Sequence, residues 1–177
     1  RRLQVRLVKG AYWDSEIKHA QEQGLEDFPV YTRKSNTDVS FLACAHKLLN
    51  DTSAFYPMLA THNAHSLSAV IDMAAQAGND YECQRLFGMG QGLFEQIMND
   101  HEVNASIYAP VGPHSDLLPY LVRRLLENGA NTSFVNRMLD DDAPVDAIVA
   151  DPVEKVRKRS EHKHPKIHLP LDIYKEE

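Results

Sequence analysis

Arg123 and Arg124 stand side by side in an otherwise apolar stretch, Leu121-Val122-Arg123-Arg124-Leu125-Leu126. Consecutive residues of a helix point about 100° apart, so packing on a single face does not account for both. Two guanidiniums make a fork that grips a carboxylate through parallel N–H donors, which lysine cannot do. The competing reading is one snorkelling and one solvated arginine. Tyr120 lies three and four residues earlier, on the neighbouring helical surface. Other polar and aromatic residues gather in short runs: Lys9-Gly10-Ala11-Tyr12-Trp13, Thr61-His62-Asn63, Gln84-Arg85-Leu86 and Tyr108. His62 and His65 form an HxxH, a weak metal-ligand signal when it stands alone. Lys9, Arg33 and Lys34 are either solvated charges or phosphate ligands, and residue type does not decide between these.

The elements around these runs repeat. Val5 to Gly10 alternates apolar and basic residues and stops at glycine, as a strand does. Asp14 can cap a helix to about Gln23, with Gly24 as its stop. A loop over Pro29 to Lys34 precedes a second helix, which carries Val39, Leu42, Ala45, Leu48 and Leu49. Strands are predicted at 57–60, 82–86 and 105–109, with helices following at 66–76, through Phe94 and Ile97, and at 116–128. Asn128-Gly129 should stop that last helix before another near 132–139. Four strand–helix units imply parallel strands. They are half of an eight-fold (β/α) barrel or one open four-stranded sheet, and no GxGxxG follows the first strand to favour a dinucleotide fold. In a barrel the polar runs, each at a strand's end, would face one site.

Bulk properties narrow the class. One domain of ordinary size fits 177 residues, 43% apolar and 25% charged. A net charge of −6 argues against a nucleic-acid module. Cys44 and Cys83 form no CxxC pair, which excludes a disulfide framework or an all-cysteine zinc site and suits two reduced thiols in a cytosolic protein. The chain opens at Arg1-Arg2-Leu3 without an initiator methionine, as an internal segment of a larger protein would. Beyond Ala150, the run Glu154-Lys155-Val156-Arg157-Lys158-Arg159 and the following His/Lys segment read as a solvated linker. The basic run lacks the interleaved aromatics of a nucleic-acid patch.

Five motifs, in order, resemble the proline dehydrogenase domain of bacterial bifunctional proline utilization enzymes. They are Arg6 to Asp14, Tyr31-Thr32-Arg33-Lys34, Ala60-Thr61-His62-Asn63, Ile107 to Gly112, and the long run from Tyr120 to Phe134. The tail from Ala150 through Ile167 resembles the segment that joins this domain to an aldehyde dehydrogenase domain. The resemblance implies an α/β chain that is the C-terminal half, strands five to eight, of a distorted (β/α)8 TIM-like barrel. Residues 1–150 would form that half, and 151–177 the linker toward the aldehyde dehydrogenase domain, where NAD would bind.

The implied activity is FAD-dependent oxidation of L-proline to 1-pyrroline-5-carboxylate. Electrons would pass to a membrane quinone, in a cytoplasmic protein held peripherally at the inner face of the membrane. By the same resemblance Arg6 and Tyr108 would be catalytic, with Arg6 beside the flavin N5. Arg123 and Arg124 would bind the proline carboxylate, and Tyr108, Tyr120, Tyr12 and Leu86 would wall the ring. Lys9, Arg33 and Lys34 would help hold the phosphates and ribityl chain, and Trp13 would pack on the adenine. Val8, Gly10, Ala11, Thr61, His62, Asn63, Gln84, Leu86, Glu127, Ser133 and Phe134 would complete the flavin shell. No metal is implied.

Two residues depart from the family pattern: Phe87 stands where histidine is usual, and Gln91 where glutamate is. Pro119 is unusual inside a helix. Without the first half of the barrel the segment alone is expected to be inactive, and DNA would be a partner only through a separate N-terminal domain. The competing classes are a non-catalytic structural or interaction module and a metal-dependent barrel hydrolase.

Overall fold

In the computed structural model, residues 1–138 and 149–173 are described, with side chains for 1–127 and 149–173. The chain divides into two compact units, Arg1–Lys9 with Ser40–Val149, and Gly10–Val39 with Ala150–Glu177.

The first unit holds a four-stranded parallel sheet, β1 (Leu3–Val8), β2 (Phe55–Ala60), β3 (Glu82–Leu86) and β4 (Asn104–Tyr108). The order is β1-β2-β3-β4 without a reversal. A doubly wound sheet reverses direction at its switch point, whereas a barrel advances one strand at a time. The topology is therefore that of four consecutive steps of a TIM-like barrel and not that of a doubly wound sheet.

Register separates the two faces of this sheet. Leu7, Leu59, Cys83 and Ala105 stand in one row across the strands, and the rows on either side carry Arg6, Met58, Glu82 and Asn104, then Val8, Ala60, Gln84 and Ser106. Side chains alternate along a strand, so the polar residues share the face opposite the Leu7–Leu59–Cys83 row. The apolar row packs under helices. Phe41, Ala45 and Leu49 of α2 (Lys34–Asn50) repeat every four residues and meet Leu59 together with Val70 and Ala74 of α3 (Ala64–Ala77). Leu67 and Ile71 of α3 pack with Cys83 and with Phe94 and Ile97 of α4 (Gln91–Asp100). Burial first, and then the Glu82 charge, push the Cys83 thiol up to about 12, so it is an inert core residue. Cys44 is exposed.

Helix α5 (His114–Met138) runs through the Asn128-Gly129 that the sequence marks as a stop. The two helices expected there are one. Pro119 lies inside it rather than in its first turn.

In the second unit α1 (Trp13–Gln23) starts at Tyr12 rather than at an Asp14 cap, and Gly24 ends it in the left-handed conformation. The tail is the main difference from expectation. Asp151 caps a short helix α6 (Pro152–Arg157) through its side chain, and a 3-10 turn follows at Pro170–Asp172. His164 N–H donates to Thr32 Oγ1 (2.9 Å), Asn36 Nδ2 to the His162 carbonyl (2.9 Å), and Arg159 to Ser35 Oγ (2.6 Å). Lys163 pairs with Asp27 at 2.6 Å, which holds the Asp27 carboxyl below its usual range. Residues 159–164 are thus bonded to the 27–36 segment rather than solvated. The bonds correct only the expectation that this stretch is solvated, because paired polar groups, not composition, decide whether a polar stretch is ordered.

Candidate functional site

The polar face of the sheet and the strand ends build the site of the first unit. Arg6 Nε donates to Gln84 Oε1 at 2.8 Å, and the Arg6 guanidinium lies over the Tyr108 ring, 4.7 Å from its centre. Both contacts follow from the register, which puts Arg6, Gln84 and Tyr108 on one face. Val8 stands on that face one step further along β1.

At the end of β2 the loop Thr61-His62-Asn63 is tightly specified. Asn63 caps α3 by accepting from Ser66 N (2.9 Å), and its own N–H donates to Thr61 Oγ1 (3.2 Å). Ser66 Oγ also accepts from Lys9 Nζ (2.7 Å), and Lys9 lies 5.2 Å from the Phe41 ring centre. Lys9 is therefore anchored at the head of α3, next to the helix N-terminus where an anion is favoured.

His62 is held at both ring nitrogens. Leu86 N–H donates to Nε2 (3.0 Å), and Nδ1 lies 2.9 Å from Glu127 Oε1. A backbone N–H only donates, so Nε2 carries no proton and Nδ1–H donates to Glu127. Neither nitrogen keeps a lone pair for a metal, and no group of three or more His, Cys, Asp or Glu among the described residues could hold one. Glu127 in turn binds Arg124 Nη1 at 3.0 Å. Burial works to raise the Glu127 pKa, but the His62 bond and the Arg124 charge outweigh it and hold the carboxyl below its usual range.

Arg124 lies 5.2 Å from the Tyr120 ring centre and Arg123 lies 6.0 Å from it. Desolvation, the neighbouring Tyr108 and a hydrogen bond with it raise the Tyr120 pKa, despite Arg124 and Arg6 nearby. Arg6, Tyr108, Tyr120 and Arg124 are therefore linked in sequence, a pair of tyrosines with a cation on each. Arg124 is largely buried, and its Nε has no hydrogen-bond partner. A buried donor without an acceptor costs about 1–3 kcal/mol, so the site suits an added oxyanion.

Three contributors went unrecognised in the sequence. Gly90 has φ +65°, and a Cβ there would come within 3.0 Å of His62 Cδ2, so glycine is required beside the imidazole. Glu82 and Ser106 bond to each other and Glu82 also to Gln84. Their signal was the two-residue spacing of Glu82 and Gln84 on one strand. Leu86 is buried beneath the site. Phe87, by contrast, is 74% exposed and Gln91 bonds to Glu95 on the outside of α4, so neither departure disturbs Leu86.

The second unit carries Gly10, Ala11, Tyr12, Trp13, Arg33 and Lys34. Tyr12 and Trp13 are exposed. Arg33 Nε donates to the Lys163 carbonyl at 2.8 Å, and Lys34 pairs with Asp38 at 2.8 Å. Asn36 Oδ1 is buried without a partner. Ser133 and Phe134 lie outside the described side chains.

The polar inventory fits a flavin dinucleotide. The first unit offers a cation beside an aromatic wall and a lysine at a helix N-terminus, while Arg124 has an unmet donor for a carboxylate.

Comparison with known proteins gives the family. The family profile described as proline dehydrogenase matches residues 1–137. The chain is 58% identical over 189 residues to the bifunctional protein PutA of Salmonella typhimurium, covering 99% of this chain and 14% of that protein. It is 57% identical over 187 residues to the bifunctional protein PutA of Klebsiella aerogenes, covering 98% of this chain and again 14% of the relative. A crystal structure of a Bradyrhizobium japonicum proline utilization A mutant superposes with a TM-score of 0.86 at 51% identity, covering 99% of this chain and 18% of that one. The chain thus spans about a seventh of the length of these curated relatives.

Proposed function

Because the chain belongs to the proline dehydrogenase family, we propose that it supplies the carboxylate grip and part of the flavin shell of an enzyme that oxidises L-proline to 1-pyrroline-5-carboxylate. The observation that carries this reading is the linked series Arg6–Tyr108–Tyr120–Arg124. It sets one cation at each end of a pair of tyrosines, an order that suits a small cyclic amino acid with its carboxylate at one end and its reacting carbon at the other.

When bound, FAD would accept the hydride at N5. The residues of this chain do the positioning. Arg124 and Arg123 hold the carboxylate away from the reacting bond. Tyr108 and Tyr120 press on the ring and keep water off it. Glu127, itself held by His62, keeps Arg124 from swinging out. Arg6 is fixed by Gln84 as the cation on the flavin side. Lys9, and Arg33 and Lys34 in the second unit, are suited to the cofactor's phosphates, with Trp13 for its adenine. Hydride transfer requires a fixed distance and angle, so a site made of positioning groups without a strong base at the reacting carbon suits it.

The remaining proposals concern the larger protein. The relatives' description as bifunctional supports a further activity outside this chain, which on the proposed reading is an aldehyde dehydrogenase using NAD. A membrane quinone as electron acceptor would require peripheral contact of a cytoplasmic protein with the inner face of the cytoplasmic membrane. No helix among the described residues is long and apolar enough to cross a membrane.

Anaerobic addition of L-proline to the flavin-loaded holoenzyme tests the activity. The flavin absorbance should bleach, and a spectrum unchanged by proline overturns the proposal in favour of a non-catalytic module.

A further inference from the structure

We propose that Glu82 is a positioning residue for Arg6, acting through the side-chain amide of Gln84; this rests on the flavin reading of Arg6. Glu82 and Gln84 are two apart on β3 and share the polar face of the sheet. Gln84 Nε2 donates to Glu82 Oε1 at 2.7 Å and lies 3.5 Å from Met58 Sδ. Ser106, opposite Gln84 in the register of β4, donates its hydroxyl to the same Glu82 oxygen. Gln84 Oε1 accepts from Arg6 Nε at 2.8 Å.

The chain of bonds has one polarity. An ionised carboxylate only accepts, so Glu82 admits the NH2 end of Gln84 and turns the carbonyl toward Arg6. The reversed amide would set donor against donor at Arg6 and acceptor against acceptor at Glu82. Glu82 thereby decides which end of the amide Arg6 meets, and that bond fixes the guanidinium over Tyr108 by its Nε. The arrangement also keeps the charges apart. A carboxylate directly on Arg6 would neutralise much of the cation, whereas an intervening amide orients it through a dipole and leaves the charge for the cofactor side.

The experiment is a double-mutant cycle in the flavin-loaded holoenzyme, with Glu82→Ala, Gln84→Ala, both together, and Arg6→Ala as reference. The midpoint potential of the bound flavin and kcat for proline are measured. Deleting a charge acts through space equally with or without Gln84, so that part cancels in the cycle. Glu82→Ala and Gln84→Ala are each expected to lower kcat about ten-fold, with no further loss in the double variant. The potential shift from Glu82→Ala should differ clearly between the two backgrounds. An identical potential shift in both, or kcat losses that multiply, overturns the relay. A potential untouched by Arg6→Ala overturns instead the flavin reading on which the relay rests. Where Glu82→Ala loses flavin, the isosteric Glu82→Gln, which lifts the acceptor-only constraint, takes its place in the cycle.

Discussion

At the scale of single residues the site is a set of side chains that hold one another. Glu127 illustrates it, because its carboxyl binds both His62 and Arg124 and its pKa lies below the ordinary 4.5 despite burial. A carboxyl depressed by folding stabilises the native state above its unfolded pKa and loses that contribution as pH falls through the folded one. Glu127→Gln should therefore lower the urea midpoint at pH 7, and the gap to the parent should close as the pH drops well below 4.5. A gap independent of pH would mean that packing, not charge, is what the substitution removes. Gly90→Ala tests the contact at His62 in another way. The new methyl meets the imidazole at 3.0 Å on a backbone at φ +65°, which should cost about 1–2 kcal/mol in chemical unfolding. Arg123, Arg124 and the strand-end runs were legible in the sequence because their types are unusual for their surroundings. Glu82, Ser106 and Gly90 were not, since their roles depend on which strands are neighbours and which loop passes a ring.

At the scale of elements the four strands and most of the helices follow from apolar periodicity, for the core is made of the same residues that set the pattern. Phe41, Ala45 and Leu49 show this on α2. The failures have a common cause in tertiary contact. The Asn128-Gly129 signal is local, worth about 1 kcal/mol, and a 25-residue helix overrides it. The tail has no apolar period at all, yet it is ordered through bonds to the 27–36 segment that only the folded chain brings near. Arg159 reaches Ser35, and the His162 and Lys163 carbonyls hold Asn36 and Arg33. Arg159→Ala should therefore speed amide hydrogen exchange in residues 32–36 several-fold, as expected for loss of about 1 kcal/mol, while exchange in β1 to β4 stays unchanged. Equal protection in the parent and the variant would show that the tail does not order this segment.

At the scale of the molecule the parallel sheet ends in two strands, β1 and β4, each paired on one side among the described residues. Leu118, Leu121, Leu125 and Leu126 of α5 and Ile107 of β4 are exposed. Open strand edges and exposed apolar side chains favour association. The 177-residue segment expressed alone should therefore self-associate in light scattering and fail to oxidise proline, and a monomeric, active segment would contradict this. The central claim is that Arg124, held by Glu127 and stacked on Tyr120, grips the substrate carboxylate. Steady-state kinetics of Arg124→Ala in the flavin-loaded holoenzyme tests it most directly. Losing charge-assisted bonds of about 1.5–3 kcal/mol should raise the proline KM by roughly ten- to a hundred-fold, with a much smaller change in kcat. A KM that stays at the parent value would contradict the account.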